Sequence, residues 1–244
     1  MNAPRAVPLD VRRRALLAAM DIDVWVPRTG PAAIAPARAD DVARARAVVP
    51  AGDDARAAAL ATLAREVAAC EACELARTRT QTVFGVGAAN ARCLVIGEAP
   101  GAEEDRRGEP FVGRAGQLLN SMLAAIGLAR ESVYIANILK CRPPANRDPQ
   151  AAEVLACRGF LTRQVALIAP RVIVAVGRVA AQNLLGVDTP IGRMRGHDYA
   201  YGDTAIPVVV TYHPAYLLRS PGEKRKAWQD LQRARRILAA AEDA

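Results

Sequence analysis

Four short runs of continuously apolar residues constrain this chain of 244 residues more than any other feature: Cys93–Ile96, Val133–Leu139, Val172–Val176 and Pro207–Thr211. None shows the in–out alternation of a half-exposed strand, so each reads as a strand buried on both faces. Between them lie stretches with helical spacing. Leu118, Leu119, Met122, Leu123 and Ile126 form one apolar stripe stopped by Gly127, and a second helix is expected from about Gln150 to Ile168. Buried strands alternating with helices predict a parallel sheet covered on both sides. The expected class is α/β, in three layers α/β/α around a central four-stranded, mainly parallel sheet. Right-handed crossovers bring the C-terminal end of every strand to one edge. On that edge fall the turn Gly97-Glu98-Ala99-Pro100-Gly101, Asn137, Gly177 and His213.

The flanks divide the chain. Residues 1–55 hold six of the sixteen prolines, and only Val11–Met20 looks helical, so this part reads as a Pro/Ala/Arg-rich, partly ordered extension. Trp25, with Ile22 and Val24, is its candidate for docking on the body. Residues 56–244 form the folded domain. It opens with a helix carrying Leu60, Leu63 and Val67 on one face and closes with one carrying Trp228, Leu231 and Leu238. The 142–149 segment, with three prolines, is irregular, and 186–204 reads as a hairpin or long loop.

Charge and cysteine use narrow the function. A formal net charge of +8 suits a polyanionic partner. No apolar run approaches the ~18 residues of a membrane span, and Arg12–Arg14 with Asp10, Asp21 and Asp23 stand where a signal peptide would be apolar. A cytoplasmic protein without membrane attachment is expected, and that compartment keeps thiols reduced. Cys93 begins a strand and reads as a small buried side chain. Cys70, Cys73, Cys141 and Cys157 have the number and softness of a metal site. Zinc sites usually pair two short knuckles, whereas one knuckle here joins two distant ligands. Spacing alone is compatible with a [4Fe–4S] cluster, a zinc ion or unliganded thiols.

Three side chains on the expected crevice carry chemistry. Asn137 lies within an otherwise apolar strand and reads either as a core or strand-end residue bonded to backbone or as a reader of a base. In the second case its amide, a donor beside an acceptor, matches the O4 and N3–H edge of uracil and mismatches cytosine. His213 follows the last strand directly and can donate to a carbonyl oxygen that becomes anionic. His197, in a polar loop, reads as structural. Phe111, in a loop, is a hydrophobic plug or a stacking platform.

The motifs G-E-A-P-G (97–101), E-E-D (103–105), P-F-V-G-R-A-G-Q-L-L (110–119), N-I-L-K-C-R-P-P-x-N-R (137–147) and H-P-A (213–215) resemble those of the family 4 uracil-DNA glycosylases. The resemblance spans about residues 57–240 in the family's order. It implies hydrolysis of the N-glycosidic bond of uracil in single- or double-stranded DNA, the first step of base-excision repair. It also implies a structural [4Fe–4S] cluster on Cys70, Cys73, Cys141 and Cys157. The uracil pocket it implies is built from the Gly97, Glu98 and Ala99 backbone, with Phe111 stacking, Asn137 reading the base edge and His213 near O2. Glu104 occupies the family's acidic position and is expected to position base or water. Related glycosylases carry a water-orienting Asp where this chain has Ala99, so no side chain stands out as the general base. The stretch after His213 resembles a loop that fills the gap left by a flipped base. Leu217 or Leu218 is expected as the wedge, with Arg219, Lys224, Arg225 and Lys226 on phosphates. A monomer is expected. The competing reading is a non-catalytic iron–sulfur DNA-binding or polymerase-associated protein. A relative that traps its product through a histidine in an inserted basic loop is disfavoured, because Cys141–Pro149 has neither.

Overall fold

A computed structural model describes residues 52–240. The extension expected over 1–55, with its helix at 11–20 and Trp25, lies outside the described residues apart from 52–55. The first helix, α1 (Asp53–Ala68), begins three residues earlier than its apolar stripe indicates, with Asp53 and Asp54 in the first turn. Carboxylates there oppose the positive end of the helix dipole.

The strands are β1 (Val86–Gly87), β2 (Cys93–Gly97), β3 (Tyr134–Asn137), β4 (Val172–Val176), β5 (Tyr199–Ala200) and β6 (Pro207–Thr211), in sheet order β1-β3-β2-β4-β6-β5. The central four pair in parallel. The sheet is wider than the expected four strands, because β1 and β5, of two residues each, add antiparallel to the edges. Such short strands leave no periodic trace in the sequence, and they cover otherwise open edges.

The remaining helices are α2 (Ala102–Arg107), α3 (Arg114–Ala125), α4 (Ala151–Ile168), α5 (Arg178–Leu185), α6 (Ile191–Met194), α7 (Pro214–Arg219) and α8 (Lys224–Ala240). Alternation along the strands sorts the layers. Leu94, Ile96, Ile173, Ala175, Val208 and Val210 pack with Val154, Leu161 and Val165 of α4 and with Leu184 of α5. Cys93, Val95, Val172, Val174 and Val209 face the other way, against Leu119 and Leu123 of α3 and Ala234 and Leu238 of α8. The three-layer α/β/α expectation holds. No helix among the described residues is long and apolar enough to cross a membrane.

Two local departures shape the crevice. The apolar run 133–139 leaves the sheet after Asn137, and the N–H groups of Ile138 and Leu139 donate to the carbonyls of Gly97 and Glu98 at 2.9 and 3.0 Å. The stretch after Gly101, whose acidic-then-basic residues read as a loop, is the short helix α2. The polar 186–204 segment contains α6 and β5.

Candidate active site

Register places the site. Gly97, the last residue of β2, pairs with Asn137, the last of β3. A Cβ at Gly97 would stand 2.5 Å from Asn137 Oδ1 and 2.7 Å from Phe111 Cζ, so the missing side chain lets the amide and the ring close on one point. The Phe111 and His213 rings lie 5.5 Å apart, tilted by 31°. Asn137, Phe111 and His213 therefore meet in one cleft of about 500 Å³, which Glu98, Ala99, Glu104 and Arg219 also line.

Asn137 is 2% exposed, and its Oδ1 is buried without a hydrogen-bond partner. A buried acceptor left unmade costs about 1–3 kcal/mol, which an N–H donor in the cleft would recover.

Phe111 takes φ 53°, left-handed backbone that a side chain of this size enters at a cost of about 1–2 kcal/mol. The surroundings over-determine it. Glu104 Oε1 accepts from the N–H groups of Val112 and Gly113 at 3.0 and 3.2 Å, and its Oε2 accepts from Gly101 N–H at 3.1 Å. Arg130 donates to the Pro110 carbonyl at 2.7 Å. Gly116 of α3 leaves room for the Phe111 carbonyl, which a Cβ there would meet at 1.7 Å. Glu104 thus lines the cleft, but its carboxylate is engaged with backbone. Its three accepted bonds hold the turn that presents Phe111, a placing of the stacking ring that the expected positioning of base or water did not specify.

His213 caps α7, and its Nδ1 accepts from Ala215 N–H at 3.1 Å. An accepting Nδ1 puts the proton of the neutral ring on Nε2. Burial, helped by the Arg219 guanidinium and opposed by Glu104, pushes its pKa down to about 4. At neutral pH His213 is an uncharged N–H donor.

Glu98 is the group that sequence reasoning undervalued. Burial, followed by the Asp148 carboxylate and opposed by Arg178, pushes its pKa up to about 7. Asp148 is itself held by Arg178 at 2.6 Å. Nothing local in G-E-A-P-G announces this, because Asp148 and Arg178 come from distant segments. Asn146, Arg147 and Tyr216 also line the cleft without having been singled out for it.

The expected DNA-contacting residues separate. Leu217 is 1% exposed and packs with Met122, Ile126 and Leu231, so it cannot be a wedge, whereas Leu218 is 37% exposed. Arg219 lines the cleft; Lys224, at the start of α8, is exposed but does not. Lys226 is paired with Glu223 at 2.8 Å.

The four expected ligand cysteines line one small cavity with Arg79, Lys140 and Phe160. Cys70 and Cys73 follow α1, Cys141 follows β3, and Cys157 lies on α4. Arg79 donates to Cys141 Sγ at 3.2 Å, and the Lys140 main-chain N–H donates to Cys157 Sγ at 3.3 Å. Burial pushes the Cys157 thiol up to about 11 and the Lys140 ammonium down to about 8. Among the described residues no three His, Cys, Asp or Glu side chains form a group that could hold a metal ion. Cys93 is absent from this cavity and lies in the sheet core, with its thiol pushed up to about 12 by burial.

Comparison with known proteins shows the family. The family model described as Uracil DNA glycosylase superfamily matches residues 84–232. The type-4 uracil-DNA glycosylase of Archaeoglobus fulgidus is 46% identical over 177 residues, 70% of this chain and 89% of its own length. That of Thermotoga maritima is 42% identical over 72% of this chain and 93% of its own. That of Sulfurisphaera tokodaii is 40% identical over 73% and 84%. With similarity of this extent laid over a cleft that joins the 97–101, 110–119, 137–147 and 213–215 motifs, the chain belongs to the type-4 uracil-DNA glycosylases.

Proposed function

We propose that this chain excises uracil from DNA by hydrolysing its N-glycosidic bond, and that the cleft between Asn137, Phe111 and His213 is where the base is held. The single observation that carries the site assignment is the buried, unpartnered Asn137 Oδ1 beside the Phe111 ring. A uracil lying on Phe111 offers its N3–H to Oδ1 and its O4 to the amide N–H. Cytosine presents an unprotonated N3 there and would leave the acceptor unpaired, which is how a polar site rejects an analogue by a large factor.

The base must leave the stack to enter the cleft, at a cost of a few kcal/mol that is least in single strands. Breaking the C–N bond puts negative charge on the uracil and positive charge on the sugar. His213, neutral with its proton on Nε2, donates to the carbonyl where that negative charge gathers, as a pre-set dipole does at an oxyanion. Glu98 supplies what the Ala99 slot lacks. A carboxyl with a pKa near 7 is part-ionised at neutral pH, the range in which a general base is most effective. It takes the proton of the attacking water, and the carboxylate form favours the sugar cation. Leu218 fills the vacated stack, and Arg219 meets a phosphate.

The cavity of Cys70, Cys73, Cys141 and Cys157 groups no three ligands about one ion, which suits a [4Fe–4S] cluster, whose irons take one thiolate each, better than a single zinc. Its donors are all thiols, drawn from separated segments, and N–H groups already point at two sulfurs. When bound, such a cluster would tie α1, the end of β3 and α4 together through these cysteines. The chain is read as a cytoplasmic monomer acting on single- or double-stranded DNA.

The test is release of free uracil from a uracil-containing oligonucleotide, wild type against Asn137→Ala. Wild type releases uracil; Asn137→Ala loses orders of magnitude in kcat with thermal unfolding unchanged within a few degrees. No free uracil from iron-loaded wild type at high enzyme would point instead to a non-catalytic DNA-binding protein. Wild-type turnover by Asn137→Ala would remove that residue from the site.

A further inference from the structure

Lys140 is 1% exposed and heads the large side chains that are fully buried, yet the reading above gives it no task. An ammonium taken out of water costs several kcal/mol unless anions and acceptors replace its hydration. Among the described residues the buried carboxylates are otherwise engaged: Asp105 with Thr80 N–H, Glu153 with Arg147, and Asp230 with Arg195. Two things surround Lys140 instead. Its Nζ donates to the Asn137 main-chain carbonyl at 2.9 Å, and the residue is one of those lining the cavity of the four cysteines.

A [4Fe–4S] core held by four thiolates carries net negative charge, and charge close to such a cluster sets its potential. Resting on the reading of those cysteines as the cluster site, we propose that Lys140 is a positioning residue joining the two sites. Its ammonium is the counter-charge of the cluster, and the same nitrogen tethers the Asn137 main chain and so the amide that reads uracil. The link is short: Cys141 follows Lys140 directly, and Asn137 precedes it by three residues. Loading of the cluster therefore sharpens recognition of the base without touching the substrate or moving an electron.

The experiment compares full-length wild type, Lys140→Met and Lys140→Gln, purified anaerobically. Iron content, cluster midpoint potential by film voltammetry and affinity for free uracil by calorimetry are read on each. Removing the cation disfavours the more negative, reduced cluster, so both variants shift to more negative potential. Gln keeps an N–H for the Asn137 carbonyl and Met does not. Uracil affinity therefore falls by about tenfold or more in Lys140→Met and by no more than about threefold in Lys140→Gln. Iron-loaded Lys140→Met with wild-type potential and wild-type uracil affinity overturns the coupling. If neither variant accumulates with iron, wild type decides. Coupling is reciprocal, so saturating uracil must raise the iron that wild type retains against a competing chelator, and unchanged retention overturns the proposal. Wild type that lacks iron or releases no uracil refutes the functional reading instead; active, iron-loaded wild type with indifferent Lys140 variants refutes the coupling alone.

Discussion

Adding one methyl group at Gly97 tests the geometry of the pocket more sharply than removing any of its side chains. In Gly97→Ala the new Cβ would lie 2.5 Å from Asn137 Oδ1 and 2.7 and 2.8 Å from Phe111 Cζ and Cε2, where ordinary contact begins at 3.4 Å. One or both groups must move by about an ångström. The backbone at Gly97 is not left-handed, so the conflict is steric and confined to the two residues proposed to hold the base. Overpacking of this kind costs about 1–3 kcal/mol in stability, a fall in Tm of roughly 2–10 °C for a domain of this size. A misplacement near 1 Å at the reacting centre costs about 100-fold in rate. Single-turnover release of uracil from a single-stranded oligonucleotide, run beside thermal unfolding, separates the two effects. Gly159→Ala is the matched control. Nothing lies within 4 Å of its Cβ position on α4, and Ala for Gly inside a helix gains about 0.5–1 kcal/mol. It should unfold slightly later than wild type and turn over normally. If folded Gly97→Ala keeps a rate within about threefold of wild type, against the hundredfold loss expected, the base does not sit between Asn137 and Phe111.

The same geometry fixes the outcome of changes at Glu98, Glu104 and the two leucines. The rate of wild type should rise with pH through about 7 as Glu98 ionises, and Glu98→Gln should abolish that limb; His213, pushed to about 4, contributes none there, so a limb surviving in Glu98→Gln refutes the assignment. The sign for stability is opposite. A raised carboxyl favours the fold when protonated and loses that favour as pH climbs from 4.5 through about 7, so the advantage of Glu98→Gln in thermal unfolding should grow over the same interval. Glu104→Ala leaves the N–H groups of Gly101, Val112 and Gly113 without their acceptor and releases the strained Phe111 turn; it should lower Tm and weaken uracil affinity together, and an unaffected affinity would show that Phe111 holds its place unaided. Leu217→Ala should cost about 2–5 kcal/mol in denaturant unfolding, whereas Leu218→Ala should unfold like wild type yet slow excision from duplex more than from single strands. Equal effects on duplex and single strand would remove Leu218 as the wedge.

Much of this was legible in the sequence because it depends on local pattern. Continuous apolar runs mark strands buried on both faces, and their C-terminal ends share an edge whatever the loops do. That is why Gly97, Asn137 and His213 could be placed on one crevice before any coordinates. The family's motifs pointed to the rest of the candidate site, including the four cysteines that line one cavity. Short pieces escaped: β1 and β5 are too brief to show a period, and α2 hid in a stretch that reads as charged loop.

The sequence by itself thus determined the layers of the sheet and the residues that gather at its edge. Only the tertiary structure decided what those residues are free to do, because hydrogen-bond capacity and desolvation depend on neighbours far along the chain. Glu104 is spent on three N–H groups, and Glu98 is raised by burial and by Asp148, fifty residues away. Leu217 turns inward while Leu218 does not, and the Lys140 ammonium is fully buried and folds back on the Asn137 carbonyl. A helix turns about 100° per residue, so adjacent leucines meet opposite environments, and composition carries no record of which one faces the core.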